Sequence, residues 1–241
     1  MSDQASTIMV NTLEPQSGTT LTVGKSGQNL VVNADSLKAN VVKDAGGNAV
    51  FTSNGSGTLS GLNSAFGSAQ TLISTQTASS SASISFTSGI DSTYKEYVFE
   101  FINIHPATDG AEFQFQAGSG YNTTLTSTAF MAYNTEDGTS NALTYLTAQD
   151  QAQGTGFQTL QHDVGSDADQ CTAGEVHLFN PSSTTYVKNW YCRSVGTQDN
   201  NTIQDEYFAG YFNITTALTQ VQFKMSSGNI DAGTIKMYGI K

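Results

Sequence analysis

From residue 94 onward the chain alternates apolar and polar positions in short runs, the period-two pattern of strands that bury one face. Residues 94–104 place Tyr97, Phe99 and Phe101 on one face and Val98, Ile102 and Ile104 on the other. His105-Pro106 and Asp109-Gly110 then break the run, and 112–116 (Glu-Phe-Gln-Phe-Gln) alternates strictly until Gly118 and Gly120. Further strand-like runs fall at 129–133, 143–146, 157–160, 175–179, 186–193, 207–212, 221–224 and 234–240. Asp137-Gly138, Asn180-Pro181 and the glycines of 228–233 supply turns between them. Upstream, 71–76 and 83–87 alternate around a small-residue turn expected at 78–81. No window longer than ten residues carries a 3.6-residue period with capping residues. The pattern predicts an all-β chain, about ten strands in two packed antiparallel sheets.

The leading part is different. Its runs are shorter (20–23, 29–32, 48–51 and 58–59) and are cut by Gly24, Gly27, Gly46-Gly47, Gly55 and Gly57. A loose Ser-Gly…Leu cadence recurs at 17–21, 26–30 and 56–59, too irregular for a solenoid period. Of the 24 aromatic residues, only Phe51, Phe66 and Phe86 precede Tyr94. Such thin strands bury little, so this part is expected to need other copies of itself or a surface to lie on. A soft boundary is expected near Gly67, dividing 1–67 from 68–241.

Composition narrows the function classes. Nine Lys plus Arg, of which Arg193 is the single arginine, stand against twenty Asp plus Glu, for a net charge of −11. A nucleic-acid binder needs a basic face that this chain cannot supply. Charged residues make up only 12% of the chain, which leaves helical bundles and coiled coils without their usual Glu, Lys and Arg. No apolar stretch approaches membrane-spanning length, and residues 1–10 lack a basic n-region and an apolar h-region; synthesis and retention in a cytosol, without membrane insertion, are expected.

Several motifs invite chemistry. Residues 18–26 (GTTLTVGKS) resemble a phosphate loop, but five residues rather than four separate the glycines and no helix follows, so a β-turn is expected. His105, His162 and His177 show no zinc-site spacing; His177 should stand on a sheet face opposite to Val176 and Leu178. Asp163, Asp167 and Asp169 are the weak candidates for a metal ion, read rather as a solvated acidic loop, and no metal or cofactor is expected. Carboxylate pairs for hydrolysis are conceivable from Glu175 with Asp163, or Asp205 with Glu206, yet no nucleophile elbow is visible and no catalytic residue is assigned. Cys171 and Cys192 flank an expected hairpin in which Cys192 sits opposite Gly174, which favours two reduced thiols. For binding, aromatic rings on a β-sandwich suit the apolar C–H faces of sugars, with Asn, Gln, Asp and Ser meeting their hydroxyls. Tyr121, Trp190 and Tyr207 are the glycan-binding candidates; Trp190, inside a strand, reads rather as core, and Tyr121 fits either role.

Four segments together carry a resemblance: 71–81 (TLISTQTASSS), 97–108 (YVFEFINIHPAT), 174–186 (GEVHLFNPSSTTY) and the closing 226–241 (SSGNIDAGTIKMYGIK). Over about 68–241 the chain resembles the terminal domain of phage, notably marine phage, fibre and appendage proteins. The Ser-Gly-Thr-Thr-Leu-Thr-Val style of the N-terminus is similar to the short repeats that lead into such fibres. The resemblance implies a jelly-roll-like antiparallel sandwich, homotrimeric assembly, attachment to other virion proteins through 1–67, and outward display of 68–241. It implies a structural protein of the virion, a short fibre or capsid decoration assembled in the host cytoplasm; joined to the aromatic candidates above, it leads to the expectation of a head that attaches to a host-surface glycan. A glycan-degrading enzyme on the same scaffold, or a decoration without a ligand, is the alternative.

Overall fold

The computed structural model describes residues 41–44, 46–56, 59–60 and 69–240. The expected strands at 20–23 and 29–32, the glycine-lysine segment at 18–26 and the first two Ser-Gly…Leu repeats lie outside these residues. Among those described, every extended element is a β-strand, and Thr147–Gln149 forms a single 3-10 turn. No described helix is long and apolar enough to cross a membrane.

Two compact units are present, Met1–Phe66 and Gly67–Lys241. In the first, β1 (Val41–Lys43), β2 (Ala49–Ser53) and β3 (Leu59–Ser60) form a small antiparallel sheet in that order. The residues of β1 and β2, and Leu59, are exposed or half-buried, as expected of runs with so few bulky side chains.

The second unit holds twelve strands in two sheets. In chain order they are β4 (Gln70–Ser81), β5 (Ile84–Phe86), β6 (Glu96–Pro106), β7 (Ala111–Ala117), β8 (Leu125–Thr135), β9 (Asn141–Tyr145), β10 (Gln158–Val164), β11 (Thr172–Phe179), β12 (Lys188–Thr197), β13 (Thr202–Phe212), β14 (Val221–Met225) and β15 (Ile230–Ile240). Their pairing is nested. β4 pairs with β15, β5 with β14, β6 with β11 and β7 with β10, all antiparallel. These four couples alternate between two sheets, β4-β15-β6-β11 and β5-β14-β7-β10, which is the order of a jelly roll. Four inserted strands widen the first sheet alone, giving β4-β15-β6-β11-β12-β13-β8-β9 against the four-stranded β10-β7-β14-β5.

Period-two alternation builds the interface between these sheets. In β12 each inward residue from Lys188 to Gly196 is buried and each residue between is exposed. Between the sheets Phe86 meets Phe99 edge-on at 5.3 Å, Phe101 meets Phe113 at 5.0 Å, and Phe115 meets Trp190 edge-on at 4.9 Å. Edge-to-face rings at these spacings add to the apolar area they bury.

Three expectations need correction. Ile104 does not share the outer face with Ile102: it is fully buried, because Asn103 adopts φ 53° and shifts the register beside Gly233. The turn expected at 78–81 is still strand, since these small residues run along β15 as far as the Ser81–Ile230 pair. In the β11–β12 hairpin Cys192 stands opposite Val176 rather than Gly174, because β12 starts at Lys188 after a longer loop than the sequence suggested. Both cysteines are free thiols; burial pushes the Cys171 thiol up and the enclosed Cys192 thiol well up.

Candidate functional site

The three residues singled out for glycan binding stand in three different places. Trp190 is in the core, 2% exposed and packed on Phe115 and Phe212, so its ring cannot meet a ligand. Inward alternation put it there. Tyr121 lies in the β7–β8 loop at φ 50°, half-buried, and its hydroxyl donates to Gln220 Oε1 at 3.3 Å. Tyr207 is on the outer face of the eight-stranded sheet and lines a pocket there.

That outer face carries the built concavity. One line of cross-strand neighbours runs Lys236, Glu100, Glu175, Arg193, Tyr207, Phe130 and Tyr145 from β15 to β9. Strands spaced about 4.8 Å apart place these side chains in one row. The row is charged at one end and aromatic at the other. Arg193 donates to both carboxylate oxygens of Asp205, Nε at 3.0 Å and Nη2 at 2.9 Å, while its guanidinium lies 5.2 Å from the Tyr207 ring centre. On the other side Phe130 stacks on Tyr207 at 4.8 Å and 3°. Both faces of Tyr207 are therefore occupied, and it contributes an edge and a hydroxyl, which donates to Asp205 Oδ2 at 3.3 Å. The bond to Arg193 holds the Asp205 carboxyl below its ordinary range, and the same bond raises the guanidinium further.

The neighbouring row explains the hollows. It runs Val98, His177, Tyr191, Ala209 and Thr128. His177 stacks on Tyr191 at 4.4 Å and 11°, held from behind by Glu96 at 2.5 Å from Nδ1, with Glu175 3.4 Å from Nε2. Tyr191 thus leans on His177 with one ring face and presents the other over the small Ala209. The resulting pocket, about 320 Å³, is walled by Tyr191, Phe130 and Tyr207 with Glu175 and Arg193 at one end. A second hollow of about 550 Å³ opens over Ala173 and Gly174, between Ile102, Val195, Glu100 and Glu175. Gly174 has to be small there: a Cβ would fall 2.3 Å from the Arg193 carbonyl oxygen and 2.7 Å from the Phe101 ring. Glu175 and Arg193 belong to both hollows and join them into one groove.

Sequence reasoning missed Tyr191 and Phe130 as lining residues and raised Glu175 only as a hydrolytic carboxylate paired with Asp163. The alternation that turns Trp190 inward turns Tyr191 outward, so a signal for Tyr191 was present. Phe130 joins the site only through the β8–β13 pairing, which no local pattern encodes.

The other expected groupings do not form. Asp205 and Glu206 alternate across the sheet, the first half-buried in the groove and the second fully buried. Asp163 ends β10 in the other sheet, away from Glu175 on β11, and accepts from Gln198 Nε2 at 2.9 Å. Asp167 and Asp169 do not gather with it: Gln170 Oε1 accepts from the Asp167 amide at 3.0 Å, and Asp169 lines a shallow hollow with His105 and Cys171. Among the described residues no three His, Cys, Asp or Glu side chains converge as a metal-ligand set.

Compared with known proteins, the chain matches no family model, and no curated protein or solved structure is significantly similar to it.

Proposed function

We propose that this chain is a structural protein of a phage particle, a short fibre or decoration held by residues 1–67, whose sandwich head attaches to host-surface glycan. The observation that carries the binding half is the outer-face groove: the Tyr191 ring stands over Ala209, flanked by apolar Phe130 and by carboxylate acceptors. A pyranose offers apolar C–H faces to such a ring and hydroxyl donors to such acceptors. The virion half rests on the four resembling segments and on a leading part poor in bulky side chains. Many copies on one particle would raise a weak single-site affinity through avidity.

The test uses the full chain with purified host-envelope glycan. Tyr191→Ala is expected to weaken binding by roughly tenfold or more, in line with the loss of an aromatic contact at the centre of a site. The melting temperature should move little, since Tyr191 is 40% exposed. Unchanged binding in the variant removes the groove from the site. Labelling of particles by an antibody to the head, and sedimentation at trimer mass, test the virion and assembly parts.

A glycan-degrading enzyme is favoured by one observation: Glu100 and Glu175 are direct cross-strand partners at the charged end of the groove. Opposed Cβ atoms lie about 4.5–5.5 Å apart in such pairs, and retaining glycosidases use two carboxyl groups at about 5–5.5 Å. Release of reducing ends from host glycan, lost in Glu175→Gln, would support this reading.

A further inference from the structure

If the groove takes a glycan, as proposed above, its charge and hydrogen-bond chemistry restrict which class of glycan that is. Its charged lining is Glu100, Glu175 and Asp205 against Arg193, three acids to one base. The one base is committed. Its guanidinium makes two hydrogen bonds to Asp205 and covers a face of Tyr207. A sugar carboxylate or sulfate entering the groove would have to break that bidentate pair or lie unpaired among three carboxylates. Charge-assisted bidentate pairs are among the stronger surface contacts, and opposing like charges across an interface disfavours wrong partners. Lys236, the nearest further cation in the row, stands opposite Glu100 on the far side from both aromatic walls. Hydroxyl groups face no such conflict: each donates to a carboxylate oxygen and leaves the Arg193–Asp205 pair intact.

We infer that the groove selects neutral glycans and excludes acidic ones, with the Arg193–Asp205 pair as the specificity-determining element. In this arrangement Arg193 is a strut that holds Tyr207 upright, and Asp205 keeps it from serving as an anion receptor. The ligand lies across the strands, from the hollow over Ala173 to the hollow over Ala209, because those two hollows meet at Glu175 and Arg193.

The experiment measures binding of the full chain to two panels by calorimetry: neutral hexaoses of glucose, mannose and galactose in several linkages, and hexauronates of matching linkage. At least one neutral hexaose is expected to bind with an affinity that does not change between low and high salt. The hexauronates are expected to bind roughly tenfold or more weakly at low salt and to gain as salt screens the carboxylates. Asp205→Asn should release Arg193 and raise the ratio of hexauronate to neutral-hexaose affinity by about fivefold or more. Glu175→Gln, which leaves the pair intact, should relieve the repulsion by a smaller factor. Hexauronate binding tighter than any neutral hexaose, or falling with salt, overturns the neutral class while the glycan reading stands. An Asp205→Asn protein with the wild-type preference overturns the role of the pair. Silence from both panels, together with wild-type attachment by Tyr191→Ala particles, removes the glycan reading itself.

Discussion

Adjacent residues can carry opposite duties when a strand separates two environments. Trp190 fills the space between the sheets, and Tyr191 faces outward over Ala209. Trp190→Ala should cost about 3–5 kcal/mol, as large-to-small changes in packed cores do, read as a fall in the urea midpoint. Trp190→Phe should cost much less, because the indole Nε1 has no hydrogen-bond partner to lose. Equal losses in the two variants would show that ring volume is not what Trp190 supplies. The inward turn of Trp190 was legible in the alternation of 186–193. The stacking of His177 on Tyr191 was not, nor the opening above Ala209. Both depend on a register among residues 177, 191 and 209 that long-range pairing alone fixes.

Strands here are trimmed by local devices and by buried polar groups. Asn103 at φ 53° and Gly233 at φ 127° face each other where β6 meets β15, and the half-step they introduce returns Ile104 to the core. A Cβ at residue 233 would lie 2.7 Å from the Asn103 carbonyl oxygen. Gly233→Val is therefore expected to destabilise the head by about 1–3 kcal/mol or more, and a thermal midpoint equal to the wild type would contradict the steric argument. Simple alternation fails at Ile104 because it assumes no inserted half-step, and Asn103 offers only a faint hint of one.

A second device ties β10 to β13. Glu206, fully buried, pairs with His162 Nδ1 and accepts from Gln161 Nε2 at 2.8 Å; the Gln204 amide oxygen accepts from His162 Nε2 at 3.2 Å. Burial raises the Glu206 carboxyl above its ordinary 4.5. Burial opposes a charged His162, but the bond to Glu206 and the charges of Glu206, Asp163 and Glu112 outweigh it and raise the imidazole above 6.5. Both groups hold protons more tightly folded than unfolded. Their contribution to stability therefore falls as pH rises, from the unfolded carboxyl's range up through the folded imidazole's. The depressed carboxylates Asp91, Asp137 and Asp205 act in the opposite sense, and only below their ordinary 3.8. The melting temperature should thus drop between about pH 5 and about pH 8, and Glu206→Gln should flatten that slope. A slope unchanged in the variant would place the titration elsewhere. His162 and Glu206 are 44 residues apart, and nothing in either segment's pattern announces the pair.

At the scale of the whole chain, the nested pairing lies entirely within Gly67–Lys241. A protein starting at Gly67 is accordingly expected to melt in one cooperative transition at the midpoint of the full chain's head, as followed by circular dichroism. A broad, non-cooperative melt would show that the leading unit is needed for the sandwich. The all-β class and most strands of this unit were legible because each strand buries one face and advertises it. The roll was expected from the resemblance of four segments alone, since first-with-last pairing leaves no mark on local periodicity.

That nesting also sets a timetable for biosynthesis. β15 lies between β4 and β6, so the edge of the large sheet has no neighbour until residue 240 has cleared the ribosome. With translation at roughly 5–20 residues per second, β4 waits on the order of 10 s for its partner. The threonine- and serine-rich composition of that strand (QTLISTQTASSS) suits the wait, since it offers water little apolar surface, and the nascent head stays open until β15, its last strand, closes the roll.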